Sequence, residues 1–412
     1  MNTASAVAVT GLGMITPGGD GAAATWDRVC RGEPTAAPDP ALRGQPVDFS
    51  CRLPEGTDLN RGALPRSAWR MSPVAKAAVS ASHDAVLDAG HEPKSWDGER
   101  VGIVLGCGIG DVGLWHDQAS RLSERGPAAV SPLTLPMALA NMPVGEVALA
   151  LGIRGPSLAT NTACASGASA LAVARGLLLS DACDIVLAGG TEMAIDPLPV
   201  AAFHRMGALS TRSHDVSGAS CPFSPERDGF VASEGAAVLV LERADDAASR
   251  GARCRAILAG CGATTDAHHP TAPHPEGRGA EQALRRAISD AELGPGDIDH
   301  VNAHATSTPA GDAAEAAVIS RVLPHGPTVT APKGVLGHTF GAAGAIEAAL
   351  TVLSIESGLV PPIANLKDPT AGLDLDCVTG AARPQQIRAA VSHSFGFGGH
   401  NVVLVLTSAT AG

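Results

Sequence analysis

The sequence runs to 412 residues with a net charge of −12, 45% hydrophobic residues, 3% aromatic residues and no tyrosine. That length suits one large α/β body or two fused units, with a core built mainly from Ala, Val, Leu and Gly. The acidic balance and the lack of a long Lys/Arg run argue against nucleic-acid binding. No stretch reaches the ~18 uninterrupted apolar residues of a membrane span.

The elements alternate along the chain. The opening "MNTASAVAVTGLGMITPGG" lacks a basic leader, so it reads as a strand (6–11) and turn, not a signal peptide. Irregular loops at 30–66 precede a helix over 73–89 and a strand "RVGIVLG" (100–106), and an insertion follows near 110–150. A helix at 165–180, strands at 184–190, 236–242 and 255–262, and a helix at 279–291 continue the pattern. The strand "HVNAHA" (300–305), helices at 312–322 and 342–357 and the strand "NVVLVLT" (401–407) complete it. Such alternation predicts a mainly parallel or mixed sheet layered with helices. Nine cysteines without a CxxC pair give no disulfide framework and no structural zinc motif, which points to a reducing cytoplasm.

The chain also repeats itself. "AVAVTGLGMIT" (6–16) matches "RAILAGCGATT" (255–265), and "FVASEGAAVLVLE" (230–242) matches "FGFGGHNVVLVLT" (395–407) in its apolar positions. The expected organisation is two α/β halves, 1–250 and 251–412.

Polar residues stand at strand ends, where an open α/β sheet builds its active site. Cys164, in "TNTACASG", sits where a helix begins; backbone N–H groups and the helix dipole there are expected to lower a thiol's pKa. Taken singly, it reads equally as a small buried hydrophobe. His304 follows an apolar strand and His338 sits between Gly-rich segments entering a helix; each has a structural reading, but with a cysteine they suggest a nucleophile with two bases or N–H donors. Their spacing does not match common zinc motifs. Lys333 at a strand end needs a partner, for which Glu315 is the candidate; a solvated lysine is the plain alternative. The glycine cluster of "SFGFGGHN" brings backbone N–H groups close to a ligand or simply makes a tight turn.

Together "TACASG", "PFSPERDGFVASEGA", "VNAHATSTPAGDAAEA", "APKGVLGHTFGAAGAIEA" and "SFGFGGHN", in this order between residues 6 and 407, resemble the elongating β-ketoacyl-[acyl-carrier-protein] synthases of the thiolase superfamily. The resemblance implies a thiolase-like fold of duplicated α/β halves in five α-β-α-β-α layers. It implies an acyltransferase: Cys164 takes an acyl chain from a carrier's phosphopantetheine, His304 and His338 promote decarboxylation of a malonyl thioester, and the carbanion condenses with the acyl-Cys. The N–H groups of Cys164 and Phe397 form an oxyanion hole, and Phe397 also gates the acyl pocket. Lys333 paired with Glu315 organises the histidines. Thr306 and Thr308 bind the pantetheine arm, while Ile109, Phe203, Thr134 and Phe340 line the acyl pocket. Arg66 and Arg70 dock the carrier. No metal and no cofactor is implied beyond the arm on the acyl carrier protein. The partner is a second copy of the chain or a chain-length-factor-like subunit. The pathway is fatty-acid or type II polyketide synthesis.

The motifs depart from the family pattern in places. Ala305 replaces a glycine, His393 an asparagine, His400 a threonine, Thr134 an aromatic residue and Phe340 a leucine. Ala128 and Ala129 stand where an Arg-Lys pair is common, which suggests a specialised carrier. The residues present argue against both rival readings. A non-catalytic chain-length-factor subunit lacks the nucleophile, which Cys164 supplies here. A thiolase needs a second cysteine near the C-terminus, and Cys377 is the last cysteine, ahead of the final glycine motif.

Overall fold

The computed structural model describes residues 6–62, 68–93, 95–370 and 372–409. The strands that carry the fold are β1 (Val7–Thr16), β2 (Val101–Gly106), β3 (Ser157–Thr160), β4 (Ile185–Glu192) and β5 (Gly235–Arg243), followed by β6 (Ala256–Thr265), β7 (His300–Asn302), β8 (Thr328–Thr330), β9 (Ala389–Gly396) and β10 (His400–Thr407). The main helices are α1 (Pro73–Asp88), α2 (Met142–Leu151), α3 (Ser166–Leu179), α4 (Arg278–Asp290), α5 (Pro309–Val322) and α6 (Ala343–Ser357).

The first five strands lie in the order β3-β2-β4-β5-β1 and the second five in the order β8-β7-β9-β10-β6. Each half-sheet thus places its own strands third, second, fourth, fifth, first. The first three are parallel and the rest antiparallel in both halves. The two sequence matches fall on equivalent strands, β1 with β6 and β5 with β10. The halves join where β1 and β6 pair antiparallel, Val7 with Leu258 through Val9 with Ala256.

Helices α3 and α6 pack on each other and on both half-sheets, and their side chains share one core with Leu239, Leu258 and Leu404. Helix α1 covers the outer face of β1 and β5, and α4 covers β6 and β10. The layers therefore run α-β-α-β-α. Helix starts follow local chemistry: Ser72 Oγ accepts from Ala75 N at 3.4 Å and Pro73 opens α1, whose missing N–H costs nothing there. Phe340–Ser357 has the length and apolarity to cross a membrane, yet 83% of that window is buried inside the protein, as expected of a core helix.

The approach of α3 to α6 places the site. A Cβ on Gly167 would stand 2.8 Å from Ala345 N, and one on Gly344 would stand 2.8 Å from Ala168 N. Only glycine permits this contact. It presses together the two helix N-terminal ends, and hence the turns that precede them.

Candidate active site

Four turns from the two half-sheets converge on one cavity of about 610 Å3. Cys164 lies between β3 and α3, His304 follows β7, Lys333 and His338 lie between β8 and α6, and Phe397 sits in the turn from β9 to β10. All stand beyond strand ends, where side chains escape the ladder and face a common opening. Cys164, His304, His338, Phe397, Thr306 and Thr308 all line the cavity.

Cys164 Sγ is 3.1 Å from His338 Nε2. Lys333 Nζ donates to the carbonyl oxygen of His304 at 2.6 Å and stands 3.3 Å from His304 Nδ1. An ammonium only donates, so His304 Nδ1 accepts and its ring proton resides on Nε2. The two imidazoles stand edge to face, with centroids 5.5 Å apart. Burial, reinforced by the charge of Lys333, holds both well below the usual histidine range. Both rings are therefore neutral at neutral pH, and each carries one N–H donor.

The lysine's partner differs from the sequence expectation. Lys333 pairs with Glu347 on α6, not with Glu315, and both side chains are 3% exposed. Glu315 is already engaged: its carboxylate accepts from His304 N at 2.8 Å and Ala305 N at 2.7 Å. It also pairs with His393 Nδ1 at 2.9 Å. It shapes the His304 turn instead of neutralising the lysine. The sequence signal for Glu347 is a lone acid inside the apolar run "GAAGAIEAALTVL", which can be buried only with a cation. Burial pushes its pKa upward against the pull of Lys333.

Cys164 also departs from expectation. Helix α3 begins at Ser166, two residues later, and Ala163 takes a positive φ of 51° to make the turn. The half-buried thiol is pushed up to about 11 by burial, which outweighs Lys333 and the N–H groups of Phe397 and Cys164. Those two N–H groups stand close enough to the sulfur to favour its ionised form. The approach requires Gly396, where a Cβ would lie 2.4 Å from Thr162 O and 3.1 Å from Cys164 N.

Thr306 and Thr308 hold their hydroxyls 3.0 Å apart. Ile109, Phe203 and Phe340 line the cavity, but Thr134 does not. Its hydroxyl donates to Ser131 O at 2.7 Å and also contacts Gln118 Oε1 at 3.2 Å, which ties it into the insertion. Arg70 is half exposed, 3.9 Å from Glu146, and does not line the cavity. Arg66 lies outside the described residues.

Glu192 at the end of β4 was not foreseen. Its buried carboxylate accepts from the N–H groups of Gly108, Ile109, Gly110 and Gly341, at 2.7 to 3.1 Å. It thereby clamps the Ile109 loop to the Phe340 segment.

The Beta-ketoacyl synthase N-terminal domain model matches residues 4–247 and the corresponding C-terminal domain model matches 255–367. The chain belongs to the beta-ketoacyl synthase family. It is 39% identical to 3-oxoacyl-[acyl-carrier-protein] synthase 2 of Synechocystis sp., over 97% of each chain. Among solved structures it is similar to a ketosynthase bound to the hexaketide, in complex with its type II PKS acyl-carrier protein (29% identity, TM-score 0.91, 98% of this chain and 99% of that one). It is also similar to the ishigamide ketosynthase/chain length factor (30% identity, TM-score 0.91, 98% and 100%).

Proposed function

We propose that this ketosynthase is an elongating acyltransferase that joins a Cys164-bound acyl chain to malonyl-[acyl-carrier protein], giving a 3-oxoacyl-[acyl-carrier protein], in a fatty-acid or type II polyketide pathway. The observation that carries this reading is the Cys164 thiol facing His338 Nε2, with the Lys333-oriented His304 alongside in one cavity.

In the first half-reaction the thiol attacks an acyl thioester. The Cys164 proton passes through His338 to the departing carrier sulfur, which leaves as a thiol, while the carbonyl oxygen is held by the N–H groups of Cys164 and Phe397. Each such donor is typically worth about 3 kcal/mol. In the second, the N–H groups of His304 and His338 hold the malonyl carbonyl oxygen. Carbon dioxide departs, its bonding electrons form the enolate, and the enolate carbon attacks the acyl-Cys carbonyl. The C–S bond breaks, the electron pair returns to sulfur, and the Cys164 thiolate takes up one proton from solvent. Loss of carbon dioxide removes any need for a strong base, so neutral imidazoles suffice.

Thr306 and Thr308 hydrogen-bond the pantetheine arm, which arrives on the acyl carrier protein; the reaction itself calls for no metal or further cofactor. Phe397 gates the acyl pocket, and Arg66 and Arg70 meet the acidic carrier. The working unit is a dimer, with a second copy or with a chain-length-factor-like subunit. The open edge strand β3, with Leu158 43% exposed, and the nearby exposed Leu135 and Leu139 support such an assembly. Possession of Cys164 and both histidines disfavours a non-catalytic role for this chain. The test is to incubate the protein with acyl- and malonyl-carriers and read the product by mass spectrometry. A 3-oxoacyl-carrier two carbons longer supports the proposal, and its absence with every carrier tried contradicts it.

A further inference from the structure

We infer that Phe340 is a fixed end wall of the acyl site, so that Cys164 of this chain holds short acyl groups and rejects long ones. The inference deepens the ketosynthase reading above and rests on it. The chain has seven phenylalanines, and Phe203, Phe230, Phe340, Phe395 and Phe397 all line the cavity around Cys164. The Phe203 and Phe340 rings are stacked 5.3 Å apart with planes 12° from parallel. Phe230 stands edge-on to both, at 5.4 and 5.7 Å. The Phe340 ring is also 5.2 Å from the His338 ring, whose Nε2 touches the nucleophilic sulfur. The wall therefore packs against the imidazole that touches the sulfur, and a chain that extends from Sγ along this side of the cavity meets it.

The two aromatic boundaries differ in how they are held. Phe397 is half-buried in a turn whose next residues, Gly398 and Gly399, have φ of 85° and 74°, a backbone that glycine keeps adjustable. Phe340 is 3% exposed and sits at φ 46°, a left-handed conformation that costs a side-chain-bearing residue energy and persists only where its surroundings impose it. Glu192 imposes it, binding Gly341 N on one side and the Ile109 loop on the other. Phe397 thus borders an adjustable turn, whereas Phe340 stands in the segment that Glu192 clamps. Forcing extra methylenes against a braced, close-packed wall is unfavourable.

The test uses butyryl and dodecanoyl N-acetylcysteamine thioesters, so that carrier recognition plays no part. Intact-protein mass spectrometry follows acylation of Cys164, with Cys164→Ala as the blank, and the readout is the ratio of butyryl to dodecanoyl initial rates. The native ratio is expected to be about tenfold or more, and Phe340→Leu should bring it down toward one. Phe203→Leu, which removes the other member of the stack, should move the ratio the same way and guards against a folding defect in the first variant. A native ratio near one, or a ratio unmoved by both substitutions, overturns the inference while leaving the ketosynthase reading intact. Failure of Cys164 to acylate with either thioester overturns both.

Discussion

Lys333 Nζ touches His304 twice, at the carbonyl oxygen (2.6 Å) and beside Nδ1 (3.3 Å). One ammonium thus fixes both the backbone and the tautomer of an imidazole, while its charge is balanced from another element by Glu347. Lys333→Ala should lower condensation about 100-fold, comparable with the loss of an oxyanion donor. It should also destabilise the fold by about 3–5 kcal/mol, because Glu347 is left buried alone. Adding Glu347→Ala should recover stability but not turnover. Melting curves beside steady-state rates separate the two effects; recovered turnover in the double variant would show that the lysine acts only through folding.

The pH dependence of Cys164 follows from its environment. With the thiol pushed up to about 11, the thiolate fraction keeps growing throughout the alkaline range. Alkylation by iodoacetamide should rise about tenfold per pH unit from pH 7 to 10. Mass-spectrometric rates that level off by pH 8.5 would contradict this.

Substitution at the sulfur divides the two half-reactions. Cys164→Ala should abolish acyl-enzyme formation and condensation. Cys164→Gln should end elongation yet leave or enhance carbon dioxide release from malonyl-carrier, because His304 and His338 remain. Release that vanishes in Cys164→Gln would implicate the thiol in decarboxylation itself.

Glu192 is a structural prediction. Its removal strips the acceptor from four N–H groups, each costing about 1–3 kcal/mol when left buried and unpaired. Glu192→Ala should lower the melting temperature markedly, and Glu192→Gln, which keeps one acceptor oxygen, less so. Equal melting of both variants and the native protein would dismiss the clamp.

The division into two α/β halves was legible because period and repeat are local signals: β5 and β10 carry matching apolar patterns and take equivalent places in their half-sheets, while the order of strands within each half was not read and the five layers followed from the family resemblance. Cys164, His304, His338 and Lys333 stood out as polar residues at strand ends. Pairing was not legible. Glu315 and Glu347 are both near Lys333 in sequence, and only packing decides that one bonds the His304 turn while the other meets the ammonium. Thr134 shows the same limit, since its position within the insertion says nothing of which way the hydroxyl turns. The thiol pKa was misjudged because a helix-end argument counts dipoles but not burial. Glu192 was invisible because its partners are backbone N–H groups, which leave no mark in sequence.

The shared strand order also says why the reactive groups meet where they do. Cys164 lies between β3 and α3; Lys333 and His338 lie between β8 and α6, the corresponding connection of the other half. Thiol and imidazole thus occupy equivalent connections of the two half-sheets, brought face to face by the reciprocal contacts of Gly167 and Gly344. The repeated strand order supplies the meeting place, and the different residues at its two equivalent connections, a thiol and an imidazole, supply the reactive pair.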